Sequence, residues 1–178
     1  MMHLVTGGSG SGKSAYAEEQ ILKAPEKRRI YIATMLPFGK EGRLRVQRHR
    51  RMRRDKGFET VECYTNLSGL EIPEGCAVLL ECVSNLTANE MYQEEGAGEK
   101  TFQAVTEGIR NLNKQAGTLV VVTNEVFSDG NSYDASTMRY MEILGRINQE
   151  LTREADLATE VVYGIPVLVK TNGVLQGR

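Results

Sequence analysis

The chain has 178 residues, 40% of them hydrophobic, with 22 Lys and Arg against 23 Asp and Glu for a formal net charge of −1. That length suits one domain with a sizeable core, and the near-neutral balance argues against a protein that coats polyanions. Three cysteines, Cys63, Cys76 and Cys82, form no Cys-x-x-Cys pair, which argues against a zinc ribbon or a disulfide framework and fits a reducing, cytoplasmic setting.

Apolar runs of strand length alternate with longer segments of helical period, the pattern of βαβ units and of a parallel sheet with helices on both faces. A strand is predicted over residues 2–6, then a glycine-rich loop, then a helix over 15–23 that Pro25 punctuates. Further strands are predicted over 29–34, 76–82 and 118–123, and helices over 101–115 and 136–156. In the last helix Ile143, Ile147 and Leu151 recur at spacing four. Gly164-Ile165-Pro166 separates two short runs, 160–163 and 166–170, and predicts a tight turn into a C-terminal antiparallel edge hairpin. No linker divides the chain, so residues 1–178 are expected to form a single α/β domain. The first residues lack a basic flank and a long apolar run, so no signal peptide is expected. Nor is there a run of about 18 apolar residues to span a membrane.

Gly7-Gly8-Ser9-Gly10-Ser11-Gly12-Lys13-Ser14 matches the phosphate-binding pattern G-x-x-x-x-G-K-[ST] between a predicted strand and a predicted helix. Glycines let the backbone curl so that successive N–H groups face phosphate oxygens, and the helix N-terminus adds its positive end. Lys13 is expected to reach the β- and γ-phosphates of an NTP, and Ser14 to offer a hydroxyl to Mg²⁺. A metal-organising acid belongs at the end of a neighbouring strand. Glu81 and Glu125 both qualify, with Glu81 the better match.

Between Lys40 and Lys56 nine Lys or Arg residues face only Glu41 and Asp55, a local charge of +7 that leaves −8 on the rest. If helical, this stretch places Arg45, His49 and Arg53 at spacing four, with too few apolar residues (Leu44, Val46, Met52) to bury it deeply. An exposed cationic arm is expected. A nucleic-acid contact and an ordinary solvated helix are two readings of it. A third uses the imidazole of His49, which neighbouring guanidinium groups bias toward its neutral, nucleophilic form while they neutralise a phosphate.

Taken in order, the phosphate loop with Leu4-Val5-Thr6 before it, Tyr31-Ile32-Ala33-Thr34, Arg45-Val46-Gln47-Arg48-His49-Arg50-Arg51-Met52-Arg53 and Thr60-Val61-Glu62 resemble the adenosylcobinamide kinase/adenosylcobinamide-phosphate guanylyltransferase family of cobalamin biosynthesis. Leu79-Leu80-Glu81-Cys82, Val122-Thr123-Asn124-Glu125-Val126, Gly145-Arg146-Ile147-Asn148-Gln149 and Gly164-Ile165-Pro166 with Lys170 extend the resemblance over nearly the whole chain. It implies a bifunctional enzyme on a RecA-like P-loop fold, frequently a homotrimer. Such an enzyme phosphorylates the aminopropanol hydroxyl of adenosylcobinamide with ATP or GTP. It then transfers GMP from GTP through a guanylyl-histidine. His49 matches the GMP-carrying histidine. By the same matching Gly7, Gly8, Ser9, Gly10, Ser11, Gly12, Lys13 and Ser14 would line the GTP site with Ile32, Ala33, Thr34, Arg50, Arg51, Met52, Arg53, Glu62 and Glu81. The segment Phe127-Ser128-Asp129-Gly130-Asn131-Ser132-Tyr133-Asp134 departs from the glycine- and proline-containing stretch of many members. The rival readings are a P-loop kinase of another small molecule and a RecA-like ATPase stimulated by nucleic acid.

Overall fold

The most apolar runs become the middle of one sheet. Every residue of β4 (Ala77–Glu81) and β5 (Thr118–Val122) is buried, as expected of parallel strands covered on both faces. The computed structural model describes residues 1–37, 39–128, 130, 133–171 and 174–175, without the side chains of Glu41, Arg45, His49, Met52, Val174 and Leu175. Around the two central strands lie β1 (Met2–Thr6), β2 (Arg29–Ala33), β3 (Phe58–Glu62), β6 (Leu157–Val162), β7 (Ile165–Thr171) and β8 (Val174–Leu175). Their order is β3-β2-β4-β5-β1-β6-β7-β8. All pairings from β3 to β6 are parallel, whereas β6–β7 and β7–β8 are antiparallel. β5 thus stands between the phosphate-loop strand β1 and the Glu81 strand β4, the RecA-like P-loop arrangement expected from the sequence.

Strand alternation divides the core in two. Val5, Tyr31, Leu79, Val120 and Val122 face Ala17 and Ile21 of α1 (Lys13–Lys23). Leu4, Ile30, Ile32, Val78, Leu80 and Val121 face the other layer, α3 (Val83–Tyr92), α4 (Thr101–Gln115) and α5 (Ala135–Glu154). Truncating a fully buried Leu or Ile here, such as Leu80 or Ile109, costs about 2–5 kcal/mol. α5 starts at Asp134, whose carboxylate accepts from the amides of Ser136 (2.9 Å) and Thr137 (3.0 Å) as an N-cap does. Its other end is closed by Lys170, whose buried ammonium donates to the carbonyls of Thr152, Arg153 and Ala155 at 2.6–2.9 Å, a cation on a helix C-terminus.

Three elements were not anticipated, the strands β3 and β8 and the helix α3, and one expectation is refined. The C-terminal hairpin exists, turning through Tyr163 (φ 50°) and Gly164 (φ 80°), two left-handed residues whose twist suits a two-residue hairpin. β7 does not end the sheet, because β8 pairs with it at Lys170 and Thr171. The basic stretch is helical, α2 (Gly39–Arg53). Arg43, Leu44, Gln47, Arg48, Arg50 and Arg51 along it are exposed, but its last residue, Arg53, is buried.

Candidate active site

The phosphate loop leaves β1 through Gly7, whose φ of 154° lies in a region closed to most side chains; a Cβ there would stand 2.6 Å from the Val161 carbonyl and from Ser11 Oγ. Gly12, at φ 93°, makes the left-handed step into α1, and a Cβ on it would come within 3.3 Å of Gly164 Cα. The loop is braced from both neighbours of β1. From the β6–β7 turn the Gly164 amide donates to the Ser11 carbonyl (2.8 Å), and beyond β5 the Glu125 amide donates to the Gly7 carbonyl (3.1 Å). Among the described residues no side chain caps the first turn of α1, and amides at a helix N-terminus suit an anion. Inside the loop the Ser11 hydroxyl is buried with no partner among the described residues. Lys13, 8% exposed, donates to the Gly8 carbonyl at 3.0 Å. Burial holds its ammonium below the usual lysine value, opposed by the negative charge of Glu81, an arrangement that an incoming phosphate would relieve.

Glu81 ends β4 directly across from Ser14. The Ser14 hydroxyl donates to its Oε1, and the Tyr31 hydroxyl donates to its Oε2 at 2.9 Å. Of the two acids considered from sequence, Glu125 is used differently: its Oε1 accepts from the Phe127 amide (2.8 Å) and Ser128 Oγ (2.9 Å), closing its own loop. The described residues hold no cluster of three or more His, Cys, Asp or Glu able to bind a metal by themselves. A hydroxyl plus one carboxylate beside a phosphate loop is nevertheless the oxygen set that Mg²⁺ takes when substrate phosphates and water complete its shell, so Ser14 and Glu81 fit that ion.

Beyond Glu81 a cleft of about 360 Å³ opens between α2 and the β2–β3 edge, lined by Ala33, Val46, Arg50, Glu62, Tyr64 and Cys82 among others. Its volume and mixed lining are those of a small-molecule site. At one end the Arg53 guanidinium lies 3.3 Å from the centroid of the Tyr31 ring. At the mouth Arg50 donates to Glu62 Oε1 at 2.6 Å, and Tyr64 donates to Glu62 Oε2 at 2.9 Å. Among the other residues expected at the site, Ala33 lines the cleft, whereas Ile32 is in the core. Thr34 is fully buried, its hydroxyl accepting from the Cys82 amide (2.7 Å) and donating to the Cys82 carbonyl (2.8 Å). Arg51 is exposed, and the side chains of His49 and Met52 lie outside the described ones.

Residues 3–169 match the family described as cobinamide kinase / cobinamide phosphate guanyltransferase. The chain belongs to that family. Two bifunctional adenosylcobalamin biosynthesis proteins CobU are its relatives at nearly full length. The one from Salmonella typhimurium is 33% identical over 184 residues, covering 96% of this chain and all of the relative. The one from Escherichia coli is 34% identical over 185 residues with the same coverage. Among solved structures, the flagellar accessory protein FlaH from Methanocaldococcus jannaschii aligns with a TM-score of 0.45 at 11% identity, covering 98% of this chain and 81% of that one.

In this cobinamide kinase/guanyltransferase chain, three features of the site escaped sequence reasoning. One is the Gly164–Ser11 brace, and another is Tyr31, which touches both Glu81 and Arg53. The third is a polar cluster at the end of β4, where Asn124 donates to Ser84 Oγ and Cys82 Sγ lies 3.0 Å from the same hydroxyl. Each of these residues falls inside a motif of the cobinamide kinase/guanyltransferase resemblance except Ser84, but spacing along the chain carries no information on what they touch.

Proposed function

We propose that the protein phosphorylates adenosylcobinamide and then transfers GMP from GTP to adenosylcobinamide phosphate, with His49 carrying the GMP. The observation that carries this reading is that one carboxylate, Glu81, bonds the phosphate-loop Ser14 and also lines the cleft under the cationic helix. A triphosphate gripped by the loop therefore reaches the cleft that the arginines border. The relatives' name, bifunctional adenosylcobalamin biosynthesis protein, supports two activities and a corrinoid substrate.

In the kinase step the aminopropanol hydroxyl attacks the γ-phosphorus of ATP or GTP. The bond from γ-phosphorus to the bridging oxygen breaks, and the hydroxyl proton leaves to solvent or a nearby base. The loop amides and Lys13 stabilise the charge that builds on the phosphoryl oxygens. Mg²⁺ held by Ser14 and Glu81 would supply further neutralisation of the phosphate charge. In the transfer step the imidazole of His49 attacks the α-phosphorus of GTP, forming an N–P bond as pyrophosphate leaves. A phosphate oxygen of adenosylcobinamide phosphate then attacks that phosphorus, breaking the N–P bond and giving adenosylcobinamide-GDP. Two displacements suit a phosphoramidate, a labile adduct. Arg50, Arg51 and Arg53 serve as phosphate neutralisers. The exposed apolar side chains of β7, Ile165, Val167 and Leu168, support the homotrimer of the resemblance, since a second copy would cover them.

The test is covalent labelling. Protein incubated with GTP radiolabelled at the α-phosphorus and then denatured should retain acid-labile label, which His49→Ala abolishes and a chase with adenosylcobinamide phosphate moves to the corrinoid. A protein that never takes up the label is a plain kinase. Label that survives the chase on the protein removes the transferase.

A further inference from the structure

We infer that Tyr31 is a positioning residue that couples the two halves of the site: its hydroxyl orients Glu81 toward the phosphate loop while its ring seats Arg53 of the cationic helix. The inference rests on the proposed roles of Glu81 and Arg53 and adds the part that joins them. Tyr31 lies in β2, next to β4 in the sheet, and is 3% exposed. Its hydroxyl donates to Glu81 Oε2, leaving Oε1 to Ser14. The carboxylate is thereby held between two hydroxyls of opposite origin, one from the loop that binds phosphate and one from the strand under the helix.

The ring has a second role. Arg53 is 6% exposed, yet its Nε and Nη1 have no hydrogen-bond partner among the described residues. What seats the guanidinium is the Tyr31 face at 3.3 Å, a cation–π contact strengthened by burial. The ring is itself fixed edge-on by Phe58 of β3, 6.2 Å between centroids. Guanidinium nitrogens without a partner among the described residues, held over a fixed ring in the cleft that Glu81 also lines, are set to take phosphoryl oxygens. Residues that orient a metal-side ligand typically change metal affinity 10–100-fold when removed, so the two contacts of Tyr31 are separable by experiment.

Tyr31→Phe keeps the ring and loses the donor, and Tyr31→Leu loses both. With the full chain, fluorescent GTP binding is titrated with Mg²⁺, and trypsin cleavage at the exposed arginines of α2 is timed. Tyr31→Phe should raise the Mg²⁺ concentration for half-maximal binding about tenfold and leave the cleavage rate as in wild type. Tyr31→Leu should add an increase in α2 cleavage of about fivefold. An unchanged Mg²⁺ dependence in Tyr31→Phe overturns the coupling to Glu81, and equal cleavage in Tyr31→Phe and Tyr31→Leu overturns the seat. Neither readout requires guanylylation, so loss of His49 labelling in wild type would fault the proposed transfer alone.

Discussion

The two halves of the site are built in opposite ways. The phosphate loop is braced by backbone bonds from both sides, Gly164 to Ser11 and Glu125 to Gly7, and its lysine is buried. Among the described side chains, the cationic helix α2 meets the body in its last turn, by the Arg53–Tyr31 stack and the exposed Arg50–Glu62 pair. The contrast teaches where preorganisation is placed. On the proposed reading, the loop that takes the triphosphate is braced before any nucleotide arrives, while the helix carrying His49 is attached through few of its described side chains, as suits an element that is repositioned.

The largest effect expected from breaking the rigid half is at Lys13. Lys13→Ala removes the charge aimed at the phosphates and should lower phosphoryl transfer by about 10²–10³-fold. Among the described residues its side chain makes one hydrogen bond, to Gly8, and desolvation opposes its charge, so thermal unfolding should not move to lower temperature. Steady-state kinetics beside a melting curve check this, and a variant that melts early would mean that Lys13 holds the loop rather than the substrate.

Acid should loosen the same half. His3 in β1 is 4% exposed, bonds Thr159 Oγ1 through Nε2 at 2.8 Å and meets the Tyr16 ring of α1 edge-on. Burial lowers its pKa to about 4, against about 6.5 in an unfolded chain. Between those values the unfolded chain binds a proton that the folded one does not. The contribution of His3 is therefore complete above pH ~6.5 and is lost as pH falls toward 4, by up to about 3 kcal/mol. Urea midpoints from neutral pH down to the mid-acid range should fall more steeply in wild type than in His3→Gln. Parallel curves would show that His3 does not titrate in that window.

Much of this contrast was legible in the sequence on the rigid side and little of it on the other. Gly7 to Ser14 state their own geometry, since only glycine accepts the backbone of Gly7 and Gly12, and the runs around Val78 and Val120 are too apolar to be anything but buried. β3 was missed because Phe58–Glu62 is a short, half-exposed strand at the sheet border, with charges at Glu59 and Glu62. α3 was missed for the opposite reason. Its buried face holds Thr87 and also Ser84, Asn89 and Glu90, the last three held by tertiary bonds such as Asn89 to the Thr34 carbonyl and Glu90 to the Asn66 amide, so no apolar period marks it. Lys170 and Tyr31 were visible only as members of motifs. That one closes α5 and the other stands between Glu81 and Arg53 depends on chain crossings, over which spacing has no reach.

The smallest effect sharpens the light side of the comparison. Arg50 and Glu62 meet at 2.6 Å, but their side chains remain 58% and 46% exposed, so water and salt screen the pair. A double-mutant cycle with Arg50→Ala and Glu62→Ala should give a coupling below about 1 kcal/mol in unfolding free energy, smaller still at high salt. Of the two described contacts, the stronger is then Arg53, which is buried over the Tyr31 ring, where a desolvated cation is worth more. A coupling well above that value, insensitive to salt, would make the helix a fixed wall of the cleft. His49 would then have to meet the α-phosphorus from where the helix already stands.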